Sequence, residues 1–161
     1  MPAATSTGEL GQGPEAEIEA ALQRIKHLEH ELAASLTRLD ESQRVAGIGS
    51  WEWDIPNNHV VWSDELFRIY GLEPGATEPS YAEFLARVHP DDREAVDARN
   101  RKAFADHQPF EDVKRCVRPD GTIFLMHTKG EVMTDEEGAP LRMIGVCSDV
   151  TDEQGQASPD A

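Results

Sequence analysis

A chain of 161 residues is long enough for one domain with extensions and short for two. Its formal net charge of −16 argues against binding a nucleic-acid backbone or an anionic membrane surface, since both need clusters of Lys and Arg. A hydrophobic fraction of 39% against 29% charged residues describes a polar but still globular chain. Residues 46–150 hold 20 acids and 11 bases, a net of −9, so the flanks carry the other −7. The opening MPAATSTGELGQGPEAE has no apolar run, so no signal peptide is expected. No stretch approaches the roughly 18 apolar residues of a membrane span. Two cysteines, Cys116 and Cys147, do not make a secreted disulfide framework, and the default location is the cytoplasm.

In chain order, residues 1–13 are small, polar and Gly-rich, and are expected to be disordered. Pro14 suits a first helical position, and Glu15 and Glu17 suit the positive end of a helix dipole. The predicted helix runs over 14–46. Ile18, Leu22, Ile25, Leu32, Leu36 and Leu39 follow at spacings of 4, 3, 7, 4 and 3, a heptad seam broken by Glu29 and Gln43. Such a narrow stripe needs a partner. A second copy of the helix is favoured, and the outer face of the following domain is the alternative.

Gly47 and Gly49 end the helix, and residues 47–152 read as a compact α+β domain. SWEWDI alternates Trp51, Trp53 and Ile55 with Glu52 and Asp54, a strand with one buried face. PNN supplies a turn and HVVW a second strand, so 50–62 reads as a hairpin. Ser63 caps a helix whose apolar side is Leu66, Phe67, Ile69 and Tyr70. Ser80 and Glu83 form a capping-box pattern before Phe84, Leu85 and Val88. HPDD opens another helix, with Val96, Ala103 and Phe104 as its thin stripe. Three strands close the domain: FEDVKRCVR, TIFLMHTKGEVMT after the Asp120-Gly121 turn, and PLRMIGVCSDV. Sequential strands with helices grouped between them imply an antiparallel sheet. The tail, 153–161, is polar and expected to be disordered; it speaks against a continuing output helix.

Five pieces, RVAGIGSWEWDI, WSDELFRIYGL, VHPDDRE, RPDGT and GAPLRMIGVCSDVTDE, occur in an order and spacing that resemble the PAS domain. The resemblance is to the PAS fold-3-like subclass with a PAC-type C-terminal half, and covers residues 44–153. It implies a five-stranded antiparallel sheet with short helices on one face, and a sensory or protein-interaction module rather than an enzyme. Asp149, Val150 and Thr151 match the motif that leads into an output helix in that family. Members often carry Trp where Leu125 stands here, which leaves the packing of that strand open. Some PAS domains hold haem, a flavin or a small metabolite between sheet and helices, and others only dimerise.

The candidate sites carry plainer readings. His30-Glu31-Leu32 looks like the start of a histidine-kinase phosphoacceptor box, but the rest of the box is missing. His89, Asp91 and Asp92 sit where helix starts favour such residues, and lack a fourth metal ligand. His107 falls in the region that supplies an axial histidine in haem-binding PAS domains, yet lies past the apolar stripe. No photoactive Asn-Cys-Arg-Phe-Leu-Gln motif occurs, and the cysteines fall in strands separated by a third, as small buried hydrophobes. No cofactor is therefore expected, haem and flavin included, and no metal or catalytic residue is assigned. A pocket for a small apolar ligand would draw on Trp53, Phe67, Tyr70, Leu85, Phe104 and Met143. A domain of about 105 residues has little core to hollow out, which favours a filled core with Trp53 buried in it. The reading is a non-enzymatic cytoplasmic module that forms a homodimer through the N-terminal helix and sheet and engages a signalling protein. The alternatives are an input fragment of a sensor histidine kinase or diguanylate cyclase, or a small-ligand sensor.

Overall fold

The computed structural model describes residues 13–155. The segments expected to be disordered fall outside these residues, apart from Gly13 and residues 153–155. The chain divides into two units between Leu39 and Asp40. Helix α1, Pro14–Ala46, contributes to both. In the first unit, the Gly13 carbonyl accepts from Ala16 N at 2.9 Å and so starts the helix, with Glu15 and Glu17 in the first turn. The seam is apolar and uncovered within this unit: Ile18, Leu22, Ile25, Leu32, Leu36 and Leu39 are 51–61% exposed.

The second unit opens with the last turns of α1. Gln43, a break in the seam, donates through Nε2 to Ser50 Oγ at 2.8 Å, and Asp40 accepts from Arg68 at 3.3 Å. Gly47, at φ +65°, stops the helix in the left-handed conformation that glycine tolerates. The strands are β1 Ile48–Asp54, β2 His59–Trp62, β3 Phe110–Val117, β4 Ile123–Thr134 and β5 Pro140–Asp149. They form one antiparallel sheet in the order β2-β1-β5-β4-β3. Between β2 and β3 lie α2 Asp64–Ile69, α3 Tyr81–Arg87, a 3-10 turn Pro90–Asp92 and α4 Arg93–Asp106. The short α5, Thr151–Gly155, follows β5.

Helix α2 is built as its sequence directs. Ser63 Oγ accepts from Leu66 N at 3.3 Å, and also from Ser50 N at 2.9 Å, so one cap ties α2 to β1. Leu66, Phe67, Ile69 and Tyr70 are all buried, and each such side chain contributes about 1.5–3 kcal/mol. The approach to the sheet is close: a Cβ added at Gly49 would sit 2.7 Å from Leu66 Cα. The capping box of α3 forms by half. Ser80 Oγ accepts from Glu83 N at 3.0 Å, but the Glu83 carboxylate pairs with Arg87 instead of reaching back. The segment after α3 covers the edge strand, with Val88 bridged to Cys116 and His89 N donating to Arg115 O at 2.8 Å.

The core joins Trp62, Leu66, Phe67, Tyr70, Val88, Val96, Phe124 and Met126 between the sheet and the helices. Leu125 receives the end of the domain. Its carbonyl accepts from Val150 N at 2.9 Å, and its amide donates to Thr151 Oγ1 at 3.0 Å.

Candidate ligand cavity

Strand alternation places Trp51 and Trp53 on the inner face of β1, paired across β2 with Trp62 and Val60 and across β5 with Gly145 and Met143. The glycines there decide how Trp51 lies. A Cβ at Gly145 would fall 2.5 Å from the Trp51 ring and 2.5 Å from the Lys129 carbonyl oxygen. One at Gly130 would fall 2.6 Å from the Phe110 ring and 3.0 Å from Trp51. Without side chains at 130 and 145, Trp51 lies against the sheet beside Phe110, ring centroids 6.1 Å apart. Trp53 rests on Phe104 at 5.6 Å and donates from Nε1 to Asn58 Oδ1 at 3.1 Å.

The core above these rings is not filled, contrary to the expectation from domain size. A cavity of about 280 Å³ lies over the inner face. Its lining includes Trp51, Trp53, Trp62, Tyr70, Tyr81, Phe84, Phe104 and Phe110, with Met143 and Cys147 from β5. Gly130 and Gly145 let the Trp51 ring lie flat on the sheet, and the cavity lies above that ring. Trp53 is correspondingly half-buried rather than buried, since its open side faces that slot and its indole N–H meets a turn residue. Of the six residues expected around a pocket, Trp53, Tyr70, Phe104 and Met143 line the cavity. Phe67 does not: it packs edge-on to Trp62 at 5.4 Å within the core. Leu85 packs against the core cluster as well.

The polar end was missed by sequence reasoning. Lys114 and Thr128 line the cavity, and Asp112 stands behind them. Lys114 is 4% exposed and donates from Nζ to Asp112 Oδ1 at 2.9 Å and Thr128 Oγ1 at 2.8 Å. Arg99 reaches the other carboxylate oxygen of Asp112 at 2.6 Å. The signal was present in β3, where Asp112 and Lys114 alternate on the face of Phe110 and Cys116. Val113 on the opposite face is exposed, so the polarity of the strand is inverted at that point.

Burial sets the acid–base character of the lining. It pushes the Tyr70 phenol well above its usual range and the Cys147 thiol upward. Burial, and then a hydrogen bond to Asp97 at 2.7 Å, raises Tyr81 to about 12. These groups are protonated donors near neutral pH, and Cys147 is a poor nucleophile. Haem iron finds no imidazole in the lining, because His107 is exposed in a left-handed cap at the end of α4. A flavin adduct finds no activated thiol. Among the described residues the lining thus supplies neither an axial imidazole for haem nor a thiolate for a flavin adduct.

The other candidates resolve locally. His89 Nδ1 accepts from Asp91 N at 3.3 Å, and Asp92 holds the Arg115 guanidinium at 2.5 and 2.9 Å. Among the described residues no group of three His, Cys, Asp or Glu could hold a metal. His30 is exposed on α1. Cys116 and Cys147 are free and buried on strands separated by β4. No helix among the described residues is long and apolar enough to cross a membrane.

A family model described as PAS fold matches residues 59–147, more than half of the chain. Over 131 residues the chain is 26% identical to the protein named "Probable diguanylate cyclase DgcE" of Escherichia coli K12, covering 81% of this chain and 11% of that one. Over 109 residues it is 27% identical to "Sensor protein FixL" of Bradyrhizobium diazoefficiens, covering 67% and 21%. It thus spans about a tenth and a fifth of these relatives. A solved sensory box histidine kinase/response regulator structure from Burkholderia thailandensis superposes with a TM-score of 0.60 at 24% identity, covering 73% of this chain and 88% of that one.

Proposed function

Given that this chain belongs to the PAS fold family, we propose that it is a cytoplasmic, non-enzymatic sensory and protein-interaction module that forms a homodimer. The observation that carries dimerisation is the uncovered heptad seam from Ile18 to Leu39, which offers six large apolar side chains to a second copy of α1. The outer sheet face adds exposed Val61, Val113 and Val146. Two free, buried cysteines agree with a reducing compartment. The likeness to a cyclase and a sensor protein supports a role as the input part of such signalling chains, two-component kinases included. The test is Leu36→Asp, which puts a charge in the middle of the seam. Light scattering of the full chain should move from dimer to monomer while circular dichroism stays unchanged. An unchanged mass at micromolar concentration overturns self-pairing.

The cavity favours a second reading, a small-ligand sensor. Its volume lies just below the usual range for drug-sized ligands, so a compact ligand is implied. A ligand biases signalling only by the difference in its affinity for two packings of the domain. Native mass spectrometry of protein purified from several hosts should show a bound species of low mass. A uniformly ligand-free protein that also binds no added aromatic compound removes this reading.

A further inference from the structure

We propose that the cavity takes a small aromatic carboxylate, with its ring among the tryptophans and its anionic head on Lys114. The proposal rests on the small-ligand reading above and names the class of ligand. Two independent features carry it.

The first is charge. The chain is acidic, at −16 overall, yet the cavity lining contains Lys114 and Arg101 and no Asp or Glu among the described residues. Behind the lining, Asp112 alone is shared between Lys114 and Arg99. Arg99 is 44% exposed and reaches Asp112 from the solvent side, so the one buried carboxylate near the cavity is already engaged by both cations. An anionic head entering the cavity therefore meets cationic lining groups and, among the described residues, no lining carboxylate to repel it.

The second is geometry. An ammonium has three N–H donors, and Asp112 and Thr128 take two. Phe84, whose ring centroid is 5.4 Å from Nζ, belongs to the same lining, so the ammonium sits beside the aromatic slot. Most of the remaining wall is ring surface, including Trp51, Trp53 and Phe104. A flat ring matches that slot by stacking and edge contacts. The ligand's head then receives the third N–H of Lys114 in a charge-assisted hydrogen bond.

The experiment is calorimetric titration of the full chain with 2-naphthoate and with 2-methylnaphthalene, which share a ring body and differ in the head. Wild type should bind the carboxylate on the order of tenfold or more tightly than the hydrocarbon. Lys114→Met keeps the apolar stem and should abolish that preference while retaining hydrocarbon binding. Lys114→Gln is the second variant should the first melt early by circular dichroism. Equal affinity of both probes for wild type leaves the cavity as a site and overturns the role of Lys114. A preference that persists in both variants places the head elsewhere and also overturns it. Binding of neither probe overturns the small-ligand reading and this one with it.

Discussion

Gly49 carries the sharpest test of how the domain is assembled. Its backbone is not in the left-handed region, so in open space alanine would stabilise the fold by about 0.4–1 kcal/mol through the unfolded chain. The space is closed. The added methyl would stand 2.7 Å from both Leu66 Cα and Cβ and 2.8 Å from Leu66 N, against a comfortable carbon separation of about 3.5 Å. The obstacle is the backbone of α2, not a side chain that can swing aside. Helix α2 therefore has to retreat by several tenths of an ångström, loosening Leu66, Phe67 and Tyr70 together. Overpacking of this kind costs about 1–3 kcal/mol. In a domain of this size that lowers Tm by roughly 4 °C or more per kcal/mol. Thermal melts of the full chain followed by circular dichroism should show Gly49→Ala falling by about 8 °C. Gly75→Ala is the comparison: Gly75 has φ +77° and nothing within 4 Å, so it reports left-handed strain without crowding, about 1 kcal/mol. A Gly49→Ala protein that melts at or above wild type, or no lower than Gly75→Ala, refutes the close-approach argument.

Ser63→Ala removes a helix cap, about 1 kcal/mol, and leaves the Ser50 amide without its acceptor, about 1–3 kcal/mol more. Urea unfolding should show a loss of about 2 kcal/mol or more, and a loss below about 0.5 would contradict the double role. Asp92 is held down to about 2 by its hydrogen bonds to the Arg115 guanidinium. A depressed carboxylate stabilises the fold above its unfolded value of 3.8 and stops doing so as pH falls through about 2. The Tm gap between wild type and Asp92→Asn should thus be full at pH 5 and close towards pH 2; a constant gap is inconsistent with the pairing. Burial pushes the Cys116 thiol up to about 12 and the Cys147 thiol upward as well. Both should resist Ellman's reagent at pH 8 until the protein unfolds, whereas rapid stoichiometric release of thionitrobenzoate shows an accessible thiol.

Much of the domain was legible because its signals are local. Ser63 followed by Asp-Glu and an apolar run, the Asp120-Gly121 turn and the alternation of SWEWDI each name an element, and each forms. Alternation assigns a side chain to a face but does not say whether that face is filled. Trp51 and Trp53 point inward as read, yet Gly130 and Gly145 let the Trp51 ring lie flat on the sheet, with a cavity above it that alternation does not announce. Those glycines lie more than 75 positions along the chain from the tryptophans, and only the register of the sheet brings them together. Lys114 and Asp112 hid for a related reason. A strand with charges at alternate positions reads as charged face outward, and here a cross-strand threonine and a helix arginine pair the charges inside. Asp92 read as a helix-start residue, while its larger role is to clamp a strand arginine 23 positions away.

The sheet order has an engineering consequence. Ile48 and Ser148 are Cα partners on adjacent antiparallel strands, so the backbone enters and leaves the fold through one doorway. The 99 residues between them form an excursion whose two ends meet, the geometry that tolerates splicing into a host protein. Grafted between two halves of a reporter at these positions, the domain would hold the halves together without a long linker. A molecule seated over β1 and β5 would then press on both hinges of the splice at once.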